Sequence, residues 1–364
     1  MHRVLSAILF ACVLFVLTPA ETSRAQITAP AEDRLVLPAP KPGHARPLVV
    51  IVADAAGAET TDFIVPYGVL REANVADVRT VSTQPGPLQL MMQLRVQPDE
   101  TTAQFDARAP EGADIVIVPA QMAPRSPALS TWLRRQAEQG ATIVSICEGA
   151  RVLAYAGLLR GRRATSHFSA LRELERAYPD TSWVRDRRYV QDGGVISTTG
   201  VSASLPVSLA LVEAIGGRDV AASTARRLGL SEWGVAHRTA DFRITGGDYA
   251  NGVGALVAFW THETFEIPLS DGVDEIALAL RADAWGRSFR TTLVTTRAGL
   301  APTRSRNGLV LLPDAEPARA ARRLPMTEGA PVAQLEATFA QMRDRYDRGA
   351  ERLARLGMEY DPIP

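Results

Sequence analysis

Short apolar runs alternate with helical segments between residues 47 and 217. The runs at 48–53, 114–118 and 141–146 are mostly apolar at consecutive positions, not at every second position, and 75–82 is a further predicted strand. A strand that is apolar on both faces must be covered on both faces, which is typical of a parallel sheet flanked by helices. We therefore predict an α/β fold for residues 47–217, a length that suits a single core.

The rest of the chain, residues 218–364, carries less uniform signals. Asp274–Arg281 fits either a helix or a strand, whereas 291–296 and 309–312 resemble strands. Apolar residues at steps of three and four predict one long amphipathic helix over 332–356. We predict an α+β extension whose last helix packs on its own domain. The alternative is that this helix pairs with a second copy of the chain in a homodimer.

The first 25 residues have the three-part pattern of a secretory signal. A charge-free run extends from Val4 to Leu17, and cleavage is expected after Ala20 or Ala25. The run is shorter than the about 20 apolar residues that span a bilayer, although an uncleaved anchor is an alternative. We expect a periplasmic or secreted protein with no membrane contact after cleavage. A proline-rich linker is predicted over 26–46.

Charge and composition exclude several classes of function. The chain has 40 basic and 40 acidic residues, and this balance argues against a nucleic-acid partner, which normally meets a basic face. Lys41 is the only lysine, so a lysine nucleophile is not expected. His262 and Glu263 begin like a zinc-protease helix, but Glu266 stands where the second histidine should be. We therefore predict neither a metal site nor a cofactor.

Cys147 is the most informative residue for chemistry. Loss of Cys12 with the signal segment leaves it as the single cysteine, so it is either a packed small hydrophobe or a reactive group. It stands between a strand ending at Ile146 and a helix starting at Glu148. A side chain there reaches the carboxyl edge of the sheet, beside helix N–H groups that lower a thiol pKa. The pattern is that of a nucleophile elbow, in which Gly149 lets the helix approach closely.

A cysteine nucleophile needs a group that handles its proton. His167 lies in a short extended segment after the elbow helix, and that segment can end beside the same crevice. Asp62 lies in the first β–α loop, also at a carboxyl end, and its alternative role is to cap the next helix. Glu59 is either a second acid near the site or, as we favour, a surface residue at the helix start.

Five short motifs follow one another in this part of the chain. They are GAETTDFIVP at 57–66, DIVIVP at 114–119, ICEGA at 146–150, AGLL at 156–159 and RATSH at 163–167. In this order they resemble the ThiJ/PfpI family of the class I glutamine-amidotransferase-like superfamily. The closest similarity is to isocyanide hydratases and to the sensor domains of AraC-type regulators, whose turn before the last helix resembles TGVSAS at 199–204. The resemblance covers about residues 47–217.

The resemblance implies a flavodoxin-like three-layer sandwich. It also implies that Cys147 is the nucleophile, that Asp62 contacts its thiol and that His167 lies nearby. An oxyanion or substrate pocket is implied around Glu148, Gly149, Ala120, Gln121, Thr199 and Gly200. Two positions depart from the family pattern. Ala120-Gln121 stands where paired glycines are frequent, and Glu148 replaces the threonine of the hydratase branch.

Members of this family hydrate isocyanides, hydrolyse peptides or amides, or repair glyoxal adducts, and some only sense oxidation at the cysteine. Our first hypothesis is an exported cysteine-dependent hydrolase or hydratase that acts on a small electrophilic substrate. The second is a non-catalytic module that binds a small ligand or senses oxidation. The third is a structural role, in which the C-terminal helix mediates assembly.

Overall fold

The computed structural model of this protein describes residues 34–324 and 328–360. The predicted signal segment, 1–25, and the first part of the predicted linker lie outside the described residues. Within the described ranges, no helix combines the length and the apolarity that crossing a bilayer requires.

The elements are numbered in chain order. The strands are β1 (Leu48–Ala53), β2 (Asp77–Ser82), β3 (Leu88–Gln89), β4 (Arg95–Gln97), β5 (Glu100–Thr101), β6 (Ile115–Val118), β7 (Thr142–Ser145), β8 (Arg163–Ala164), β9 (Ser182–Trp183), β10 (Tyr189–Asp192), β11 (Val195–Thr198), β12 (Glu263–Pro268), β13 (Thr291–Thr296), β14 (Thr303–Arg304) and β15 (Val310–Leu311). The helices are α1 (Thr60–Ala73), α2 (Thr102–Arg108), α3 (Pro127–Glu138), α4 (Gly149–Tyr155), α5 (Phe168–Ala177), α6 (Ser204–Gly216), α7 (Arg218–Leu228), α8 (Gly246–Val257), α9 (Glu275–Gly286), α10 (Pro331–Arg345) and α11 (Arg348–Met358).

The central sheet has seven strands in the order β10-β11-β7-β6-β1-β2-β5. Neighbouring strands are parallel except for β10, which pairs antiparallel with β11. Their carboxyl ends, apart from that of β10, therefore meet at one edge, and the loops that follow them carry the candidate site. The predicted α/β fold with a mostly parallel sheet is confirmed.

Successive residues of β1 face two separate cores, which explains the unbroken apolar run. Val49 and Ile51 pack with α1 and α6 on one face of the sheet. Leu48, Val50 and Val52 pack with α2, α3, α4 and α5 on the other face. All six residues of the strand are buried. The predicted three-layer sandwich is confirmed.

Residues 218–324 and 328–360 build onto the α1 face of this sandwich. Helix α7 contacts α6, and α9 lies against both α1 and α10. Trp285 and Phe339 are fully buried in the core that also contains α1. Within the segment Asp274–Arg281, Asp274 is the N-cap and the other residues lie in α9. The Asp274 side chain starts this helix by accepting hydrogen bonds from the N–H groups of Ile276 and Ala277.

Two further sheets involve the extension. Strands β12 and β13 form a parallel pair. The other sheet has the order β14-β15-β4-β3, so it joins a hairpin from the first part of the chain to one from the extension. In it, Val310 is opposite Gln97 and Leu311 is opposite Val96.

The single long helix predicted over 332–356 is wrong, because two helices, α10 and α11, occupy this segment. The chain leaves helical geometry at Tyr346, whose φ is −112° and ψ is −84°. Asp347 then starts α11 by accepting a hydrogen bond from the Ala350 N–H. Ion pairs between Arg355 and Glu336 and between Arg343 and Glu351 cross between the two helices, which are therefore antiparallel.

Candidate active site

Cys147 lies between the end of β7 and the start of α4, in a backbone conformation with φ 54°. This left-handed region is strained for a residue with a side chain. Three hydrogen bonds hold it in place. The Cys147 N–H donates to the Thr199 carbonyl and the Thr198 hydroxyl, both at 3.1 Å, and the Cys147 carbonyl accepts from the Ser166 hydroxyl at 3.0 Å. The side chain reaches the carboxyl edge of the sheet and is only 5% exposed.

Gly149 allows α4 to start directly beside the sheet. A Cβ atom at this position would lie 2.2 Å from the carbonyl oxygen of Val118, which is a backbone atom and cannot move aside cheaply. The close approach of helix and strand therefore depends on glycine.

We expect Gly149→Ala to lower the free energy of unfolding by about 1–3 kcal/mol, because the methyl group overpacks the contact with Val118. Urea unfolding measures this loss. Gly194→Ala is the matched control, since a Cβ there meets no atom within 4 Å. Equal stability of the two variants would contradict the close approach.

Asp62 is fully buried in the first turn of α1. Its Oδ2 accepts a hydrogen bond from the Ala120 N–H at 3.1 Å, whereas its Oδ1 has no hydrogen-bond partner among the described residues. Burial raises the pKa of Asp62 to about 7. The helix cap is Glu59, whose carboxylate accepts from the Asp62 N–H, so Asp62 does not fill its alternative role as a cap.

Burial raises the pKa of the Cys147 thiol well above its usual range, and the carboxylates of Asp62, Glu148 and Glu59 raise it further. The Arg287 guanidinium opposes them and lowers the pKa. The prediction of a lowered thiol pKa is therefore wrong for the structure as it stands. Loss of hydration around a thiolate outweighs the favourable field at the start of a short helix.

Glu59 is buried and not at the surface, contrary to the interpretation that we favoured. Its Oε1 lies 3.1 Å from Arg287 Nη2, and Arg287 Nε lies 2.9 Å from Asp283 Oδ1. Burial, Asp283 and Asp62 raise the pKa of Glu59, whereas Arg287 lowers it. Sequence reasoning missed Arg287 and Asp283. Their spacing of four suggests a helical pair, but nothing local indicates that they lie next to Glu59.

His167 is the N-cap of α5, and its ring hydrogen bonds are with Ser169. The side chain is buried, and its Nε2 has no hydrogen-bond partner within the described part of the chain. The ring lies against Gly200, where a Cβ would be 2.6 Å from His167 Cδ2. The histidine therefore borders the predicted pocket.

Four of the predicted pocket residues have backbone N–H groups with partners within the chain. Ala120 N donates to Asp62, and Gly200 N donates to Glu359 Oε2 at 2.7 Å. Gly149 N donates to the Ile146 carbonyl, and Thr199 N donates to the Arg188 carbonyl. Gln121 ties two loops together, because its side chain accepts from Asp54 N and donates to the Pro119 carbonyl.

Glu148 is held away from a direct interaction with the thiol. Its carboxylate pairs with Arg151 at 2.6 Å and is 34% exposed. The charge of Glu148 still raises the pKa of Cys147.

Glu359 borders the predicted pocket, and sequence reasoning missed it. Its side chain is fully buried, and it contacts His237 and the backbone of Gly200 and Phe168. It lies 159 residues from Gly200 along the chain, so no local motif indicates the contact.

A resident metal has no evident ligand set at this site. In residues 34–324 and 328–360, no group of three or more histidine, cysteine, aspartate or glutamate side chains is arranged to hold a metal ion.

Comparison with known proteins gives matches to the same part of the chain. The model of the DJ-1/PfpI family matches residues 48–214. A deglycase from Pyrococcus horikoshii is 31% identical over 144 residues, which cover 38% of this chain and 82% of the deglycase. The isonitrile hydratase of Pseudomonas putida is 37% identical over 92 residues, 25% of this chain and 38% of the hydratase. The HTH-type transcriptional regulator CdhR of Pseudomonas aeruginosa is 41% identical over 87 residues, 24% of this chain and 26% of the regulator.

Proposed function

This chain belongs to the DJ-1/PfpI family, and from that premise we propose that it is an exported cysteine-dependent enzyme of the hydrolase or hydratase type. The observation that carries the proposal is the position of Cys147, held at φ 54°, near a buried acid, Asp62, whose pKa is about 7 and whose charge acts on the thiol. The relatives include a protein named as a hydratase and one named as a deglycase. Export rests on the sequence pattern of residues 1–25.

The strand–turn–helix arrangement of Cys147 supports its assignment as a nucleophile elbow. The thiol is neutral at pH 7 because its pKa is raised, so it must lose its proton as it attacks. Asp62 suits this task, since a general base works best when its pKa lies near the working pH. Its Oδ1, which has no hydrogen-bond partner in the described ranges, is proposed to accept that proton.

For an amide substrate, the proposed reaction has two steps. The Cys147 sulfur bonds to the carbonyl carbon while its proton passes to Asp62, and the C–N bond then breaks as Asp62 returns the proton to the leaving amine. Water next adds to the thioester, and the carboxylic acid leaves as the thiol is restored. His167, with its unpartnered Nε2, is proposed to hold this water.

Turnover by the mature protein tests the proposal. We expect hydrolysis or hydration of at least one substrate from a panel of small amides, aldehydes and isocyanides, and complete loss of that activity in Cys147→Ala. Alkylation of Cys147 by iodoacetamide, measured from pH 6 to 10, should give an apparent pKa above the ordinary value of about 8.5. Turnover that survives in Cys147→Ala would refute the assignment.

A specific observation favours a second candidate, a module that senses oxidation or binds a small ligand without catalysis. The N–H group of Ala120, predicted for the oxyanion pocket, and that of Gly200, predicted for the oxyanion or substrate pocket, both have partners within the chain. Such a module would convert Cys147 to a sulfenic or sulfinic acid with peroxide, which mass spectrometry detects, and would turn over none of the panel.

A further inference from the structure

We propose that Gly200, Phe168 and His237 form a carboxylate-binding subsite beside Cys147, which the chain's own Glu359 fills. The ligand class is a small molecule that carries a carboxylate next to an electrophilic carbon, and that carboxylate would take the place of the Glu359 side chain. The inference rests on the proposed function, because it takes Cys147 as the reacting group.

The contacts of Glu359 define the subsite. Its Oε2 accepts hydrogen bonds from Gly200 N at 2.7 Å and from Phe168 N at 3.1 Å. Its Oε1 lies 2.9 Å from His237 Nε2. The Glu359 side chain has no exposed surface, and that of His237 is 4% exposed. Two backbone N–H groups and an imidazole are donors that suit a buried carboxylate.

The two loops that hold the backbone of Cys147 also hold this carboxylate. The peptide between Thr199 and Gly200 accepts from Cys147 N through its carbonyl and donates to Glu359 through its N–H. On the other side, Ser166 donates to the Cys147 carbonyl, and Phe168, two residues later, donates to Glu359. A carboxylate in the subsite therefore lies at the same edge of the sheet as the thiol.

Two buried polar atoms at this edge are available to a ligand. Asp62 Oδ1 and His167 Nε2 have no hydrogen-bond partner among the residues that the structure describes. The His167 ring lies against Gly200, one of the subsite donors. Buried polar atoms almost always have partners, so unpartnered ones call for an explanation. A polar ligand whose carboxylate replaces that of Glu359 would supply partners for both.

The backbone at Glu359 does not favour a glutamate. Its φ is 50°, at the end of α11, in a region where glycine is the preferred residue. The Glu359 backbone also anchors the segment, because its carbonyl accepts from Ser202 Oγ at 2.6 Å. A glycine here would keep this backbone contact, suit the conformation and empty the subsite.

Glu359→Gly with sodium propionate tests the subsite, because propionate corresponds to the removed side chain. We expect saturating propionate to raise the Tm of this variant by on the order of 2–4 °C, since it binds only the folded state. Propionamide and sodium chloride at equal concentration should have no such effect. Asn74→Gly is the matched control, because Asn74 also ends a helix at positive φ, 53°, but lies at the exposed end of α1.

The link to Cys147 is measured by alkylation. Propionate should slow the reaction of Cys147 with iodoacetamide several-fold in Glu359→Gly and leave it unchanged in Asn74→Gly. If Glu359→Gly does not fold without help, its refolding yield with propionate and with propionamide replaces the Tm.

Propionate that affects Glu359→Gly no more than Asn74→Gly would overturn the subsite. The Tm readout needs no reactive thiol, so it is repeated in a Cys147→Ala background. Stabilisation there, together with no turnover of the substrate panel by the protein that keeps Cys147, would refute the proposed function and leave the subsite standing.

Discussion

Replacing Arg287 with methionine is expected to lower the free energy of unfolding by about 3–5 kcal/mol, because it leaves buried carboxylates without their counter-charge. The Arg287 side chain is 16% exposed, whereas those of Glu59 and Asp283 are 2% and 0% exposed. Its Nη1 also donates to the Gly357 carbonyl at 2.7 Å, which ties the end of α11 to α9. Urea unfolding at pH 7.5 measures the loss.

Arg108→Met is the matched control for this prediction. Arg108 forms a two-bonded pair with Glu100, but its side chain is 44% exposed, so we expect a loss of only about 0.2–1 kcal/mol. The defect of Arg287→Met should shrink at lower pH, because Glu59 has a raised pKa and its protonation removes one uncompensated charge. Equal losses in the two variants would mean that the buried cluster contributes little to stability.

Asp62→Asn should have opposite effects on turnover and on thiol reactivity. Loss of the proton acceptor is expected to lower turnover by about 10²–10⁴-fold. Alkylation of Cys147 at pH 8 should become faster, since the Asp62 charge raises the thiol pKa and asparagine carries none. The asparagine oxygen can still accept the hydrogen bond from Ala120 N, so the geometry is retained.

Asp62→Asn should also make the protein more stable at pH 8. Burial raises the pKa of Asp62 from 3.8 to about 7, so the folded chain binds the proton more tightly than the unfolded chain does. This contribution is full below the unfolded pKa and is lost as the pH rises through the folded value. Asparagine removes this loss at high pH, and thermal unfolding at pH 5 and pH 8 measures the difference.

Asp114→Asn is the control for the effects of Asp62→Asn on turnover and on alkylation. Asp114 is also a buried aspartate that accepts from a backbone N–H, that of Leu48 at 2.7 Å, but it lies just before β6, at the opposite edge of the sheet from Cys147. We expect it to leave turnover and alkylation unchanged. If Asp62→Asn lowers both turnover and alkylation, Asp62 acts on the structure of the site and not on the proton of Cys147.

The parallel sheet was predictable because its signal is local. Each residue of β1 is apolar, and each packs in one of two cores, so consecutive residues of the sequence indicate that the strand is buried on both faces. Cys147 was predictable for the same reason, since a strand that runs directly into a helix places the intervening residue at the sheet edge. The break between α10 and α11 was not predictable, because the apolar spacing continues through Tyr346. In addition, the sequence does not distinguish an aspartate that caps a helix from one on a helix surface.

The electrostatics of the site could not be read from the sequence. Arg287 lies 228 residues from Glu59, and Glu359 lies 191 residues from Phe168. The pKa of Cys147 is set by burial and by charged residues such as Arg287 that lie far from it along the chain. A motif identifies the residues of one loop, but a buried charge depends on every element that packs over it.

The sheet formed by β3, β4, β14 and β15 has a consequence for how the chain folds. Arg95 donates to the Pro313 carbonyl, 218 residues later, and Val96 pairs with Leu311. Contacts between such distant segments slow folding, because a long loop must close before they form. During synthesis, the edge of β4 that pairs with β15 has no partner until residue 311 has left the ribosome. Completion of the fold is therefore a late event, which comes after most of the chain has been made.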